Sequence, residues 1–94
     1  MSIINLMEKK VRNAIDIVSI NIIDESMKHV GHYFHSSLTF PSHIKLILVS
    51  NSFVGMNTMK RHKLICKLLK DEIKLIHAIS FHFYTQSEYN LKNR

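Results

Sequence analysis

The period of the apolar positions changes several times along the chain, and each change marks an element. In residues 2–14, SIINLMEKKVRNA, Ile4, Met7 and Val11 recur at helical spacing while Glu8, Lys9, Lys10 and Arg12 fall outside them, which predicts a short amphipathic helix. From Ile17 the period drops to two. Val18, Ile20 and Ile22 take one side and Ile17, Ser19 and Asn21 the other, the pattern of a half-buried strand that Asp24, Glu25 and Ser26 end. Residues 26–42, SMKHVGHYFHSSLTFPS, hold no period, and Gly31, Pro41 and several serines predict a long loop. Residues 43–50, HIKLILVS, are apolar on both faces, Ile44, Leu46 and Leu48 on one and Ile47 and Val49 on the other. That predicts a central strand, antiparallel to the first.

Gly55 and Asn57 then signal a turn, and residues 57–75 return to a helical period. His62, Ile65, Leu69 and Ile73 share a packing face, while Lys60, Lys63, Lys67, Lys70 and Lys74 share the opposite one. Asn57 or Thr58 can cap the first free N–H groups, and Lys70 and Lys74 suit the negative end of the helix dipole. In residues 77–84, Ile79, Phe81 and Phe83 alternate with Ser80, His82 and Tyr84. This is a third strand, expected parallel to the second through a right-handed crossover. Residues 85–91 predict a helical turn with Thr85 as N-cap and Glu88 as its capping-box partner. The order is α-β-β-α-β-α: an α+β fold with a mixed three-stranded sheet and helices on one face.

At 94 residues the chain is one domain, with a core over about residues 15–89, the long loop at 26–42 and a basic tail at 90–94. Net charge is +6, concentrated on one helix face and in the tail (Lys92, Arg94). Such a balance suits an acidic partner, nucleic acid or an anionic surface, or simply keeps the domain in solution. The single cysteine, Cys66, excludes an intramolecular disulfide and favours a reducing compartment; it reads as a small hydrophobe at the edge of the packing face. No apolar run nears the roughly 20 residues that span a bilayer, so no membrane role is expected. A cytoplasmic or other reducing location is expected, or a mitochondrial one if a presequence precedes this segment.

Seven histidines give the chain its candidate chemistry. His29, His32 and His35 are spaced by three in the loop, but a zinc site needs about four ligands and only histidines lie near. His77 stands at the helix-to-strand junction, where a side chain can be both held and open to solvent. As a residue alone it reads more readily as a packed or hydrogen-bonded histidine than as a ligand. His62 reads as a core histidine hydrogen-bonded to backbone, His43 as structural, His82 as exposed or sheet-flanking, and Asp71 and Glu72 as a solvated acidic pair. There is no nucleophile–base pair, no paired carboxylates and no glycine-rich phosphate loop, so a role other than an enzyme's is expected.

The runs VSNSFVG, MKRHKLICKLLKDEI and IHAISFHFYTQSEY, with IIDES and SHIKLILVS upstream, resemble the BolA family in order and spacing across residues 17–89. The resemblance implies a type II KH-like fold. It also implies that the histidine of the hydrophobic-His-Ala motif, here His77, is an iron–sulfur ligand. The second ligand would come from the loop after the acidic-Glu-Ser motif, which carries over to His29, with His32 as the alternative. The implied partner is a monothiol glutaredoxin carrying glutathione. It would share a [2Fe–2S] cluster with this chain in a heterodimer, the chain alone being a monomer, for cluster trafficking or iron signalling. The chemistry agrees: two histidines can replace two thiolates on one iron, and a chain with one cysteine cannot complete the shell unaided. Imidazole ligation weakens as pH falls through about 6.5. The other reading is a nucleic-acid-binding transcription regulator. KH domains clamp backbone with a GXXG loop, whereas the matching turn FVGMN has one glycine. The lysine stripe could still grip DNA phosphates, with strong salt dependence.

Overall fold

The strand that is apolar on both faces becomes the middle of the molecule. The structure is a computed structural model that describes residues 2–26 and 41–93. Strands β1 (Ile17–Asp24), β2 (His43–Ser50) and β3 (Ala78–Tyr84) form one sheet in the order β1-β2-β3. β1 pairs antiparallel to β2, and β3 pairs parallel to it, with Leu46 opposite Phe81 and Leu48 opposite Phe83. The helices are α1 (Ile3–Ala14), α2 (Thr58–Leu68), α3 (Lys70–Ile73) and α4 (Gln86–Lys92). The predicted order, pairing and mixed sheet are all present.

One core lies between the sheet and the first two helices. Ile44, Leu46 and Leu48 of β2 meet Met7 and Val11 of α1, Ile65 of α2, and Phe53, Leu69 and Ile76 from the segments between. Burying each such side chain stabilises the fold by about 1.5–3 kcal/mol. Ile3, Met7 and Val11 make the buried line of α1, with Ile4 beside it only half-buried. In β1 the register shifts between Ile17 and Ser19. This irregularity turns Val18 outward to 43% exposure and leaves Ile20 and Ile22 against the core.

The long helical stretch differs from its sequence pattern in two ways, a break and a rotated buried line. It breaks at Leu69 (φ −108, ψ 20) into α2 and α3. Asn57 is its N-cap, accepting from the Lys60 N–H at 2.9 Å. Its buried line runs through Arg61, Ile65, Leu69 and Glu72 rather than His62, Ile65, Leu69 and Ile73. His62 is therefore not a core histidine: it is exposed, and its ring packs edge-on against Phe81 with centroids 5.0 Å apart. Glu72 is not solvated either. It is 4% exposed, and Oε2 meets Lys10 Nζ at 2.7 Å while buried Oε1 has no partner.

Arg61 is buried because its polar atoms are satisfied where it lies. Nε donates to Met56 O (2.8 Å) and Nη1 to Phe83 O (3.2 Å), and the fork grips Glu88 through Nη1–Oε1 (2.6 Å) and Nη2–Oε2 (3.1 Å). The guanidinium also sits 5.5 Å from the Phe53 ring centre. One side chain thus ties the turn after β2, the end of β3 and α4. The predicted capping box is formed: Thr85 Oγ1 accepts from Glu88 N–H (3.2 Å), and Glu88 Oε1 accepts from Thr85 N–H (2.8 Å). Beyond it, α4 wraps the strand end so that Tyr89 reaches Tyr84, ring centres 5.7 Å apart. Among the described residues no helix is long and apolar enough to cross a membrane.

The Arg61 fork, then the Thr85 N–H, lowers the Glu88 carboxyl from its ordinary 4.5 to about 2. A folded value below the unfolded one means the contribution is full above about 4.5 and fades as pH falls toward 2. Glu88→Gln should cost about 1 kcal/mol in urea unfolding at pH 7, the low end for a charge-assisted bond because the carboxylate is half open to water. The wild type should lose that advantage over the variant between pH 5 and pH 2. At Gly55, where φ is +83 and nothing crowds a Cβ, Gly55→Ala should cost about 1–2 kcal/mol from backbone strain alone, read in the same titration.

Candidate metal centre

The site is assembled where β2 and β3 begin. Asp24 Oδ1 accepts from Ser26 N–H at 2.9 Å. Ser26 Oγ in turn accepts from the N–H groups of Ser42 (2.8 Å) and His43 (3.3 Å), and Glu25 N–H donates to His43 O (2.9 Å). The Asp-Glu-Ser run that ends β1 therefore clamps the chain where it rejoins the sheet. Ala78 N–H donates to Ser42 O at 3.0 Å, and the parallel register sets His43 opposite Ala78. His77, one residue earlier, follows the buried Ile76 and is itself exposed.

This register brings the two rings together. The His43 and His77 centroids are 5.4 Å apart with planes at 66°. His43 is half-buried, and its Nδ1 lies 2.9 Å from Ser42 Oγ. A metal–nitrogen bond of about 2.0–2.1 Å puts a ring centre roughly 3.2 Å from the ion, so two imidazoles at a tetrahedral angle sit roughly 5.2 Å apart. The spacing of the ring centres is therefore close to that of two imidazoles on one ion. Among the described residues no group of three or more His, Cys, Asp or Glu is gathered to hold an ion, so the other positions would have to come from elsewhere. Cys66 is half-buried on α2, and burial pushes its thiol upward, away from the thiolate that binds metal.

Of the histidines singled out in the sequence, His77 lies exposed at the helix-to-strand junction, beside His43. His29, His32 and His35 lie outside the described residues. His82 is half-buried, its Nε2 2.9 Å from Ser80 Oγ, in register with Ile47. His43, read from the sequence as structural, lies beside His77 with ring centres 5.4 Å apart. β2 begins at His43 and β3 begins one residue after His77, so the parallel register places the two near each other. Lys60, Lys63, Lys67, Lys70 and Lys74 are all exposed, forming the solvent face that the helical period predicts.

Comparison with known proteins agrees with this architecture. A family model described as BolA-like protein matches residues 11–88. The DNA-binding transcriptional regulator BolA of Escherichia coli is 33% identical over 90 residues, covering 95% of this chain and 81% of the relative. The protein BOLA1, chloroplastic, of Arabidopsis thaliana is 36% identical over 84 residues, covering 87% of this chain and 52% of the relative. The solved structure of BolA1 from Arabidopsis thaliana superposes with a TM-score of 0.79 at 34% identity, covering 89% of this chain and 92% of that one. The chain belongs to the BolA family.

Ser42→Ala removes the oxygen beside His43 Nδ1. The ring 15N shifts of His43 should move as its tautomer balance changes, while those of His62 and His82 stay in place; unchanged His43 shifts would show that Ser42 does not orient the ring.

Proposed function

We propose that the protein is an iron–sulfur adaptor. In this reading it takes a [2Fe–2S] cluster as cargo, shared with a monothiol glutaredoxin that carries glutathione, and serves cluster trafficking or iron signalling. The observation that carries the reading is His77, exposed at a rigid junction with a second imidazole in ligand range. The cargo supplies an iron that accepts nitrogen donors in place of thiolates. The chain's part is to offer imidazole nitrogens as donors to that iron. His77 is one ligand; for the second, the family resemblance names His29, with His32 behind it. Two sulfurs, from the glutaredoxin cysteine and from glutathione, complete the shell. An adaptor of this kind needs no catalytic group, and thiol ligation suits a reducing compartment.

A second reading has its own observation. Five exposed lysines line one side of α2, α3 and the residue after it, and a relative at 33% identity is named a DNA-binding transcriptional regulator. Binding through that stripe would be phosphate-driven and steeply salt-dependent. The single glycine of the FVGMN turn argues against a KH-type clamp.

Mixing the protein with a monothiol glutaredoxin, glutathione, iron and sulfide should give a heterodimer with its own visible circular dichroism, different from that of the glutaredoxin alone. His77→Ala should abolish that signature, and a variant spectrum identical to wild type would remove His77 from the site. If the stripe binds DNA, changing Lys63, Lys67 and Lys70 to glutamate should abolish duplex binding at near-physiological salt while leaving the cluster spectrum intact.

A further inference from the structure

We infer that the lysine stripe grips duplex DNA by its phosphates alone and does not choose between base sequences. This rests on the second reading above for the ligand and adds how that ligand is held. A base edge is read best by a side chain that offers two hydrogen bonds in one plane: arginine on guanine, asparagine or glutamine on adenine. α2 runs TMKRHKLICKL and holds one such residue, Arg61. Arg61 is 9% exposed, and its fork is engaged inside the protein by Met56 O at 2.8 Å, Phe83 O at 3.2 Å and the two Glu88 oxygens at 2.6 and 3.1 Å. The other arginine among the described residues, Arg12, stands on α1 and bonds Glu8 at 2.8 Å. Asn57, which opens α2, already gives its side-chain oxygen to the Lys60 N–H at 2.9 Å, so its two polar groups are not both free to face an adenine.

What α2 exposes is charge without a plane. Lys60, Lys63 and Lys67 stand out over about 10 Å of helix, and duplex of that length presents roughly six phosphate charges. Each ammonium is a point charge on a flexible stem, which follows phosphates and has no fork to fix a base. Residues 41–70 contain no Asp or Glu, so this segment has no carboxylate to repel a polyanion; Asp71 intervenes only between Lys70 and Lys74. Lysines three and four residues apart also repel one another, and phosphates relieve that repulsion. Single strands are held in large part by bases stacked on aromatic rings, and residues 57–75 hold no Phe, Tyr or Trp. The duplex is therefore the better fit.

The test offers the wild-type chain a pool of short DNA duplexes with a randomised centre at low salt, followed by fluorescence anisotropy on individual duplexes and on their separated strands. Selection should enrich no motif. Affinities for shuffled duplexes should agree within about threefold, whereas a base-reading contact would cost at least about fivefold for each mismatched pair. The logarithm of affinity should fall with that of salt at a slope between about −2.7 and −4.5, for three to five phosphates. Lys63→Ala should weaken every duplex alike and reduce the slope by about 1. An enriched motif bound more than about fivefold tighter than its shuffled copy overturns the inference while the DNA reading stands. Tighter binding to separated strands than to duplex overturns it as well. No binding to any duplex at low salt removes the DNA reading and the inference with it.

Discussion

The parallel pairing of β2 and β3 is the constraint on which the rest depends. It needs a crossover, and the crossover is the helical stretch whose buried side closes the core through Ile65 and Leu69. It also decides what stands at the strand starts. With His43 opposite Ala78, His77 stands just before β3, and its ring lies 5.4 Å from that of His43. A slip of one residue would send Ile79, Phe81 and Phe83 to the other face and remove His77 from its neighbour. The hydrophobic register that builds the core is therefore also the register that sets His43 and His77 near each other.

Arg61 keeps that register at the far end of the sheet. It reaches the turn after β2, the last carbonyls of β3 and the first turn of α4, all from within the protein interior. Buried charges are costly unless fully hydrogen-bonded, and this one has backbone acceptors, a carboxylate and an aromatic face. Glu72 shows a less complete arrangement. One oxygen pairs with Lys10 and joins α1 to α3, while the other is buried without a partner.

Much of the fold was legible in the sequence because periodicity reports burial directly. The strands, their pairing, the Asn57 cap and the Thr85–Glu88 capping box follow from alternation and from local hydrogen-bond chemistry that spans three or four residues. What escaped were long-range effects. Nothing near Arg61 announces that Phe83 O and Glu88, 22 and 27 residues on, will make a charged side chain welcome inside. A reading by residue type chose the neighbouring His62 and thereby rotated the helix by one position. Glu72 was misjudged for the same reason, its partner Lys10 being 62 residues away. Val18 left its predicted side because a strand irregularity carries no sequence mark of its own. The exposed junction position of His77 was legible; its proximity to His43 was not, since the closeness of two strand starts is a property of register, which a single strand does not display. The lysine face was legible, and being exposed is compatible with a partner surface, a nucleic-acid surface or solvation alone.

The account's central claim is that this chain contributes two imidazoles to a cluster whose sulfur ligands come from another molecule. The most direct measurement labels only this chain with 15N-histidine, assembles the reduced complex with unlabelled glutaredoxin and glutathione, and reads the nitrogen hyperfine couplings of the cluster. Two strongly coupled 15N nuclei are expected. A spectrum with no 15N coupling, as from a cluster held by thiolates alone, would contradict it.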